Sequence, residues 1–531
     1  MQDERDPMSR QQPLLKFEDF RNDLDEFLKR FGAGGRNAND DDDDNRYDED
    51  DDPYTGRRSG RRTIPTGSAA ALHVARRLTF GATPALVAEI DSKGIQNWID
   101  EQLAWQSIDD SAMEPILANF AGIEDSYVTL KTATYRTSVT SNLQSAAMAR
   151  AVWSRRQLYE LMVDLWTNHF NVDASATSVQ SYKPMDDLDV IRANPLGKFS
   201  DLLLAATKSP AMLAFLNNAQ SRADGSHTPN ENHARELMEL HTVGAANGYS
   251  EEDVAKVAHL LSGWVITKAG TFMFANSRHD LGPAADGSPI VGWSRNGRTG
   301  VAAGESFVQH LARHPDTAQS IAFKLCVRFI GDYVSPSDEI VTTVAAAYMA
   351  NDTAIAPTLR TLFQSSDFKA SAGLKARRPF EFIAGTLRAV GATFDATQLL
   401  AFQSMVNGRM KTLGQPLFSW SFPNGYADAD CTWITAGSML ERWNFARQVA
   451  IDGLASSMID ITAILGTPAP VRVGDVIRTL ANAILSEPLD EKVFEHILDA
   501  TDLDSDMRWQ SWYDAGPLLT YILQSPQNQI R

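Results

Sequence analysis

Cysteine is nearly missing from this chain: Cys326 and Cys431 are the two in 531 residues. They cannot build a disulfide framework, and no Cys-x-x-Cys pair points to redox or metal chemistry. Two reduced thiols in the core are the simpler reading, with a single bridge as the alternative. Long apolar runs are missing too. No stretch of roughly 18 apolar residues occurs, so no membrane span is expected. A basic region followed by an apolar one is absent from the N-terminus, which points to the cytoplasm. Arg57-Arg58 and Arg61-Arg62 resemble twin-arginine pairs, but the following Thr63–Ala71 is only weakly apolar. Positive charge is in deficit, 49 Lys and Arg against 67 Asp and Glu, giving a net charge of −18. That balance argues against nucleic acid and against anionic membrane surfaces as partners. Several reaction classes lose their signatures: there is no Gly-x-Ser-x-Gly elbow, no phosphate loop, no Gly-x-Gly-x-x-Gly and no His-Glu-x-x-His.

What is present is a chain with 43% hydrophobic residues, enough for a large globular core. Residues 1 to about 66 stand apart. Asp40–Asp44 and Asp48–Asp52, with Glu49, place ten acids in thirteen positions, a block that cannot bury apolar area and is expected to be disordered. Ahead of it Phe17, Phe20, Leu24, Phe27, Leu28 and Phe31 recur at helical spacing until Gly32. This amphipathic helix either docks on its own globular body or enters the groove of a partner.

From Ser68 onward the pattern is helical, so the fold class expected is all-α: a large multi-helix body over residues 67–531, with 400–531 as an optional C-terminal helical subdomain. Leu158, Leu161, Met162, Leu165, Trp166 and His169 follow i, i+3, i+4, i+7 spacing. Ser250 with Asp253 reads as a capping box opening a helix that ends at Gly263. Phe307–Phe329 and Ile340–Tyr348 read as further helices. Gly270–Gly304 breaks the pattern with Gly, Pro, Asn and Ser, and is expected to be one long loop or small hairpin, a length often tied to function.

The densest chemistry lies in Pro229–Thr242, PNENHARELMELHT. About 100° per residue puts Asn232, Arg235, Glu236 and Glu239 on one helical face. Glu236 and Glu239, three apart, have the spacing by which helices project paired carboxylates toward a metal. The competing reading is an Arg235–Glu239 ion pair. Asn230, beside Glu231, either caps the helix or binds substrate. His241, near the helix end, is favourable with the macrodipole if charged. His169 lies on the apolar side of its helix, as a core histidine or as a metal ligand or acid/base group. His279-Asp280 sits in the Gly-rich interval, where a carboxylate beside an imidazole can fix its tautomer for general-base work or supply two ligands. Trp420, Tyr426, Trp433 and Trp443 surround Pro423-Asn424-Gly425, as core and turn packing or as a platform for a sugar or other planar surface.

Nine segments occur in an order similar to that of the bacterial DUF1800 family: Ala70–Pro84, Leu165–Phe170, Asn194–Leu196, Pro229–Gly244, Leu260–Trp264, His279-Asp280, Arg377–Phe382, Gly414–Pro416 and Ser525-Pro526-Gln527. The resemblance spans roughly Ser68 to Arg531. His233 stands where the family typically has tyrosine, and His259 where it commonly has arginine. The family carries no settled activity; many members have export signals, which implies the periplasm as the alternative compartment. Members often lie near genes for DUF1501 proteins, which are sulfatase-like.

Two functional expectations follow. The first is a metal-dependent enzyme, hydrolase or oxidoreductase. His169, Glu236 and Glu239 would hold one divalent ion (zinc, manganese or iron), Arg235 would hold an anionic group, and His279 would move protons. Asp280, Asn230 and Glu231 would complete the pocket. The second is a non-catalytic assembly protein whose Phe17–Phe31 helix engages a DUF1501-type partner.

Overall fold

Apolar spacing of 3.6 residues is realised as helices through most of the chain, and the order of those helices decides which motifs meet. The computed structural model describes residues 65–531 except 224–226, 246–247, 283–287, 452–458 and 511–513. The expected Phe17–Phe31 helix and the acidic run lie outside the described residues. The helices that matter below are α1 (Ser68–Leu78), α2 (Val139–Trp153), α3 (Gln157–His169), α4 (Asn232–Glu239) and α5 (Glu251–Leu261). A two-stranded antiparallel sheet follows, β1 (Trp264–Ile266) and β2 (Phe272–Phe274). Then come α6 (Gly300–Ala312), α7 (Pro315–Phe329), α8 (Pro379–Ala389), α9 (Leu399–Thr412), α10 (Ala436–Ala450) and α11 (Gly516–Gln524). The all-α expectation holds, with the hairpin as the small exception.

Local chemistry accounts for the boundaries. All six periodic residues of α3, from Leu158 to His169, are buried. Helix α5 opens on the expected capping box: Asp253 N–H donates to Ser250 Oγ (3.2 Å) and Ser250 N–H donates to Asp253 Oδ2 (2.9 Å). The single helix expected over Phe307–Phe329 is two. Pro315 at the first turn of α7 cannot continue α6, and His314 caps the new helix through its ring Nδ1, which accepts from Asp316 N–H. The hairpin begins before the expected Gly270, pairing Trp264 with Phe274 and Ile266 with Phe272. It therefore buries Trp264 while the interval after it stays irregular.

One connected apolar core runs from Ala71 to Leu523. Helix α9 packs on α2, and α10 packs on α11. The close approach of the loop after α1 to α8 depends on two glycines. A Cβ on Gly81 would lie 2.7 Å from Gly385 Cα, and one on Gly385 would lie 2.7 Å from Phe80 O. This contact sets the depth at which α8 enters the core. Gly385→Ala is therefore expected to lose about 1–3 kcal/mol by overpacking. A urea midpoint equal to that of the parent protein would show that the two backbones have room to separate.

Candidate functional site

The polar strip of α4 is placed at the surface. The Arg235 guanidinium bonds both oxygens of Glu251 on α5, at 2.9 and 2.7 Å. It also reaches back to Glu231 at 3.5 Å, so the i, i+4 ion pair runs to Glu231 and not to Glu239 as expected. Asn230 Oδ1 accepts from Asn232 N–H (2.9 Å), an Asx-type turn just ahead of the helix, whose N-cap is Glu231 and not Asn230. Burial raises the Glu236 carboxyl above its ordinary range, and the neighbouring Glu239 adds to that. Among the described residues no three His, Cys, Asp or Glu side chains come together in a set able to hold a metal ion, so His169, Glu236 and Glu239 do not converge. The reason is geometric: α4 directs Arg235 to α5, while His169 faces α7.

His279 and Asp280 do not act on each other as a hydrogen-bonded dyad. The His279 ring Nδ1 lies 3.1 Å from Ser262 Oγ and 3.0 Å from Ser262 O, while Asp280 Oδ1 accepts from Gly282 N–H (3.1 Å). His241 is buried, and burial pushes its imidazole down to about 3. It is therefore neutral near pH 7 and gains nothing as a cation at a helix end. His233 is likewise buried, pushed down to about 4, and neither of its ring nitrogens has a hydrogen-bond partner.

His169 does sit in a chemical cluster, but with partners other than those expected. A carbonyl can only accept, so the 3.2 Å contact of Nε2 with His241 O fixes the Nε2–H tautomer. The Nδ1 lone pair then points at the Lys324 ammonium, 2.8 Å away. Burial lowers the Lys324 amine to about 8, against the pull of the Asp428 carboxylate. Lys324 is partly buried and keeps some solvent contact. One turn further along α7, Arg328 is fully buried, hydrogen-bonds Asp164 of α3 (2.8 Å) and forms an ion pair with Glu381 of α8 (2.6 Å).

Glu381 is the hub of this interior. Arg328, Arg378 and Arg531 all pair with its Oε1. Burial alone would raise its carboxyl, but the three guanidinium groups hold it well below the usual range. Lys375 extends the network to Asp332 (2.6 Å) and Asp430 (3.6 Å). Burial pushes Asp430 up to about 6, with Lys375 opposing that shift and Asp332 adding to it. Behind Asp164 lies a cavity of about 30 Å³ lined by Glu160, Thr167, Arg192, Phe80 and Phe380, room for about two waters. The buried Thr167 hydroxyl there has no protein partner.

The loop carrying Asp428 is clamped to the end of α3 and the residues just after it by two asparagines. Asn168 Nδ2 donates to Tyr426 O (2.8 Å) and Asn168 Oδ1 accepts from Tyr426 N–H (2.7 Å). Asn171 Nδ2 donates to both Trp420 O (2.9 Å) and Phe422 O (2.7 Å). Gly425, at φ +70°, lies against Asn168; a Cβ there would sit 2.3 Å from Asn168 O. Only glycine fits this close left-handed turn.

Sequence reasoning missed Lys324, Asp164, Arg328, Arg378, Glu381 and Asp428. A signal existed in the segments that carry the family resemblance. Arg377–Phe382, Gly414–Pro416 and the final residues meet here: Arg377 Nη1 donates to Asn528 Oδ1 (2.8 Å), and Phe380 N–H donates to Gln415 Oε1 (3.0 Å).

Two outcomes are expected. Glu381→Gln leaves three buried guanidinium groups short of a counter-charge and should cost about 3–5 kcal/mol in chemical denaturation; a loss below about 1 kcal/mol would mean that the network is not the tie described. His233 and His241 have folded values below the ordinary 6.5, so the unfolded chain binds more protons below that pH. Their contribution is complete above pH 6.5 and is lost as pH falls toward 4 and 3, by up to about 1.4 kcal/mol per pH unit for each group. His233→Leu should flatten the fall in denaturation midpoint between pH 6.5 and 4, and an unchanged slope would remove His233 from that account.

No curated protein and no solved structure matches this sequence. Residues 73–530 match the family described as protein of unknown function, DUF1800. Because that match takes in nearly all of the described body, including the Lys324–His169 pair, the chain belongs to the DUF1800 family.

Proposed function

We propose that this protein is an enzyme whose working group is the Lys324 amine, acting on a carbonyl compound through a Schiff base. The observation that carries the reading is the 2.8 Å approach of Lys324 Nζ to the Nδ1 lone pair of His169, whose tautomer the His241 carbonyl sets. A lysine near 8 has about a tenth of its amine neutral at pH 7, against about one part in three thousand at the ordinary 10.5. Neutral amine is the nucleophile.

In the first step the Nζ lone pair forms a bond to the carbonyl carbon, and the C=O π electrons move to oxygen. His169 Nδ1 takes a proton from the attacking nitrogen and returns it to that oxygen, giving a carbinolamine. Loss of the second N–H proton and of the hydroxyl as water leaves the C=N bond, so one water is released for each imine formed. Asp428 favours a positive charge at this nitrogen, which suits the protonated imine. The buried arginines do not face substrate; they hold Asp164, Glu381 and the Asp428 loop in place.

The placement of donors supports a lysine-centred reaction over the divalent-metal chemistry expected from His169, Glu236 and Glu239, which stand in separate environments. An assembly role with a DUF1501-type partner rests on Phe17–Phe31, outside the described residues, and nothing in the described body favours it.

Propanal with cyanoborohydride at pH 7 should reductively alkylate Lys324 at least tenfold faster than the exposed Lys268 and Lys411, as read by peptide mass spectrometry. Lys324→Met should abolish that fast site, and His169→Gln should slow it and move its pH dependence. Equal rates at all three lysines would overturn the proposal.

A further inference from the structure

Between β2 and α6 the chain lays a loop against the C-terminal half of α6 and leaves a cleft of about 550 Å³ between them, a size that suits a small organic molecule. Lys324, His169 and Asp428 do not line it. No Asp or Glu lines it either, although acids outnumber Lys and Arg by 67 to 49 in the chain. Arg298 stands on the loop wall instead, and Arg313, the C-cap of α6, on the helix wall. Both walls are held in place. Asn296 and Gly297 have φ of 50° and 77°, and Arg298 N–H donates to Arg295 O (3.0 Å), which makes a tight Asn-Gly turn of the I′ kind. The Arg295 guanidinium braces that turn by donating to Arg298 O (3.0 Å). The Trp293 indole N–H donates to Ser306 Oγ on α6 (3.2 Å), and its ring packs edge-on against Phe307, centres 5.4 Å apart. His310 Nε2–H donates to Val291 O (2.8 Å). A cleft shaped in advance by such ties asks little further ordering when a ligand enters.

The occupant follows from the donors that remain. Arg298 makes a long bond from Nη1 to Arg295 O (3.4 Å) and pairs with no carboxylate among the described residues. Arg313 gives Nε to Asp352 Oδ1 (2.8 Å) and Nη1 to Gln309 O and Oε1 (3.0 and 2.6 Å), which leaves Nη2 for another acceptor. Asp352 is itself shared with Lys198 (2.7 Å), so cations stay in excess here. A carboxylate has two oxygens in one plane, and a single guanidinium fork can take both. A phosphate ester has three free oxygens arranged on a tetrahedron, so guanidinium groups on two walls can each bond different ones. An inorganic ion would fill only a small part of the cleft. Ser294, Asn296 and His310 line what is left, and His310, with Nε2–H committed to Val291 O, has Nδ1 as an acceptor. Those groups match hydroxyls and give an apolar body nothing to displace.

We propose that this cleft is a second binding site, for a sugar phosphate, with Arg298 and Arg313 gripping the phosphate and Ser294, Asn296 and His310 meeting the sugar hydroxyls. The site neither needs the lysine reading nor supports it. Calorimetry and phosphorus NMR at neutral pH and low salt test it on the full chain with glucose 6-phosphate, fructose 6-phosphate and ribose 5-phosphate. Inorganic phosphate, glucose and gluconate serve as comparisons. At least one of the three esters should bind at least tenfold more tightly than each comparison. Arg298→Gln and Arg313→Gln should each weaken that ester at least tenfold, and Arg298→Lys should recover only part of the loss because an ammonium lacks the fork. Arg298 and Arg313 are exposed, so their variants should keep the thermal midpoint of the parent protein. Asn296→Asp keeps a residue that tolerates the left-handed turn and adds a negative charge, and it should weaken the ester as well. Lys324→Met should bind it as the parent does. Inorganic phosphate binding as tightly as every ester would reduce the cleft to an attraction for anions and overturn the proposal. Gluconate matching the best ester would overturn the phosphate assignment, and glucose matching it would remove any role for the arginines. Failure of all three esters to bind, or unchanged binding in Arg298→Gln, would overturn the site itself.

Discussion

A single carboxylate shared by three guanidinium groups holds the centre of this molecule together. Glu381 draws Arg328 from α7, Arg378 from the N-cap of its own helix and Arg531 from the last residue of the chain to one oxygen. Each of these groups is nearly or wholly out of water, so each depends on the others for compensation. Long-range order in the fold follows from that dependence. Helix α3 must bring Asp164 alongside, α7 must present Arg328 inward, and the C-terminal residues must return to α8.

The Lys324–His169 pair sits at the edge of this rigid interior, with Lys324 partly buried. Lys324 is one turn from Arg328 on the same helix face, and His169 is five residues from Asp164 on α3. Their separation is therefore set by the same packing that seats the ion network. The two asparagines on either side of His169 hold the loop that supplies Asp428 and the exposed ring of Phe422. Buried charge, the amine–imidazole pair and the aromatic loop are joined through α3 and the residues that follow it, so the rigidity of the first extends to the other two.

Much of the architecture could be read before any coordinates. The apolar spacing of Leu158–His169 predicted α3, and Ser250 with Asp253 predicted the start of α5, because both signals are local: a period of 3.6 residues and a cap that closes within one turn. Pro315 is equally local, and it divides the apolar run that periodicity alone reads as one helix. The site was less legible. The Pro229–Thr242 segment concentrates acids, a guanidinium and an amide in one stretch, but density of chemistry in sequence does not translate into density in space. Its Arg235 turned outward to Glu251, a surface ion pair of the kind that contributes little. His169 has two partners, the His241 carbonyl and Lys324, and Lys324, 155 positions away, offers no sequence pattern that ties it there.

Composition and periodicity by themselves determined that this is a helical chain with few thiols, an acidic surplus and no apolar run long enough for a membrane span among its residues, because those properties are sums or short-range repeats. The segments shared with its family were also visible as strings. Which of those segments touch, that burial lowers the proton affinity of Lys324 and which aromatic ring is left facing water were decided only when the helices packed. These outcomes depend on desolvation and on the distance between groups hundreds of residues apart, and neither quantity is written in the spacing of neighbours along the chain.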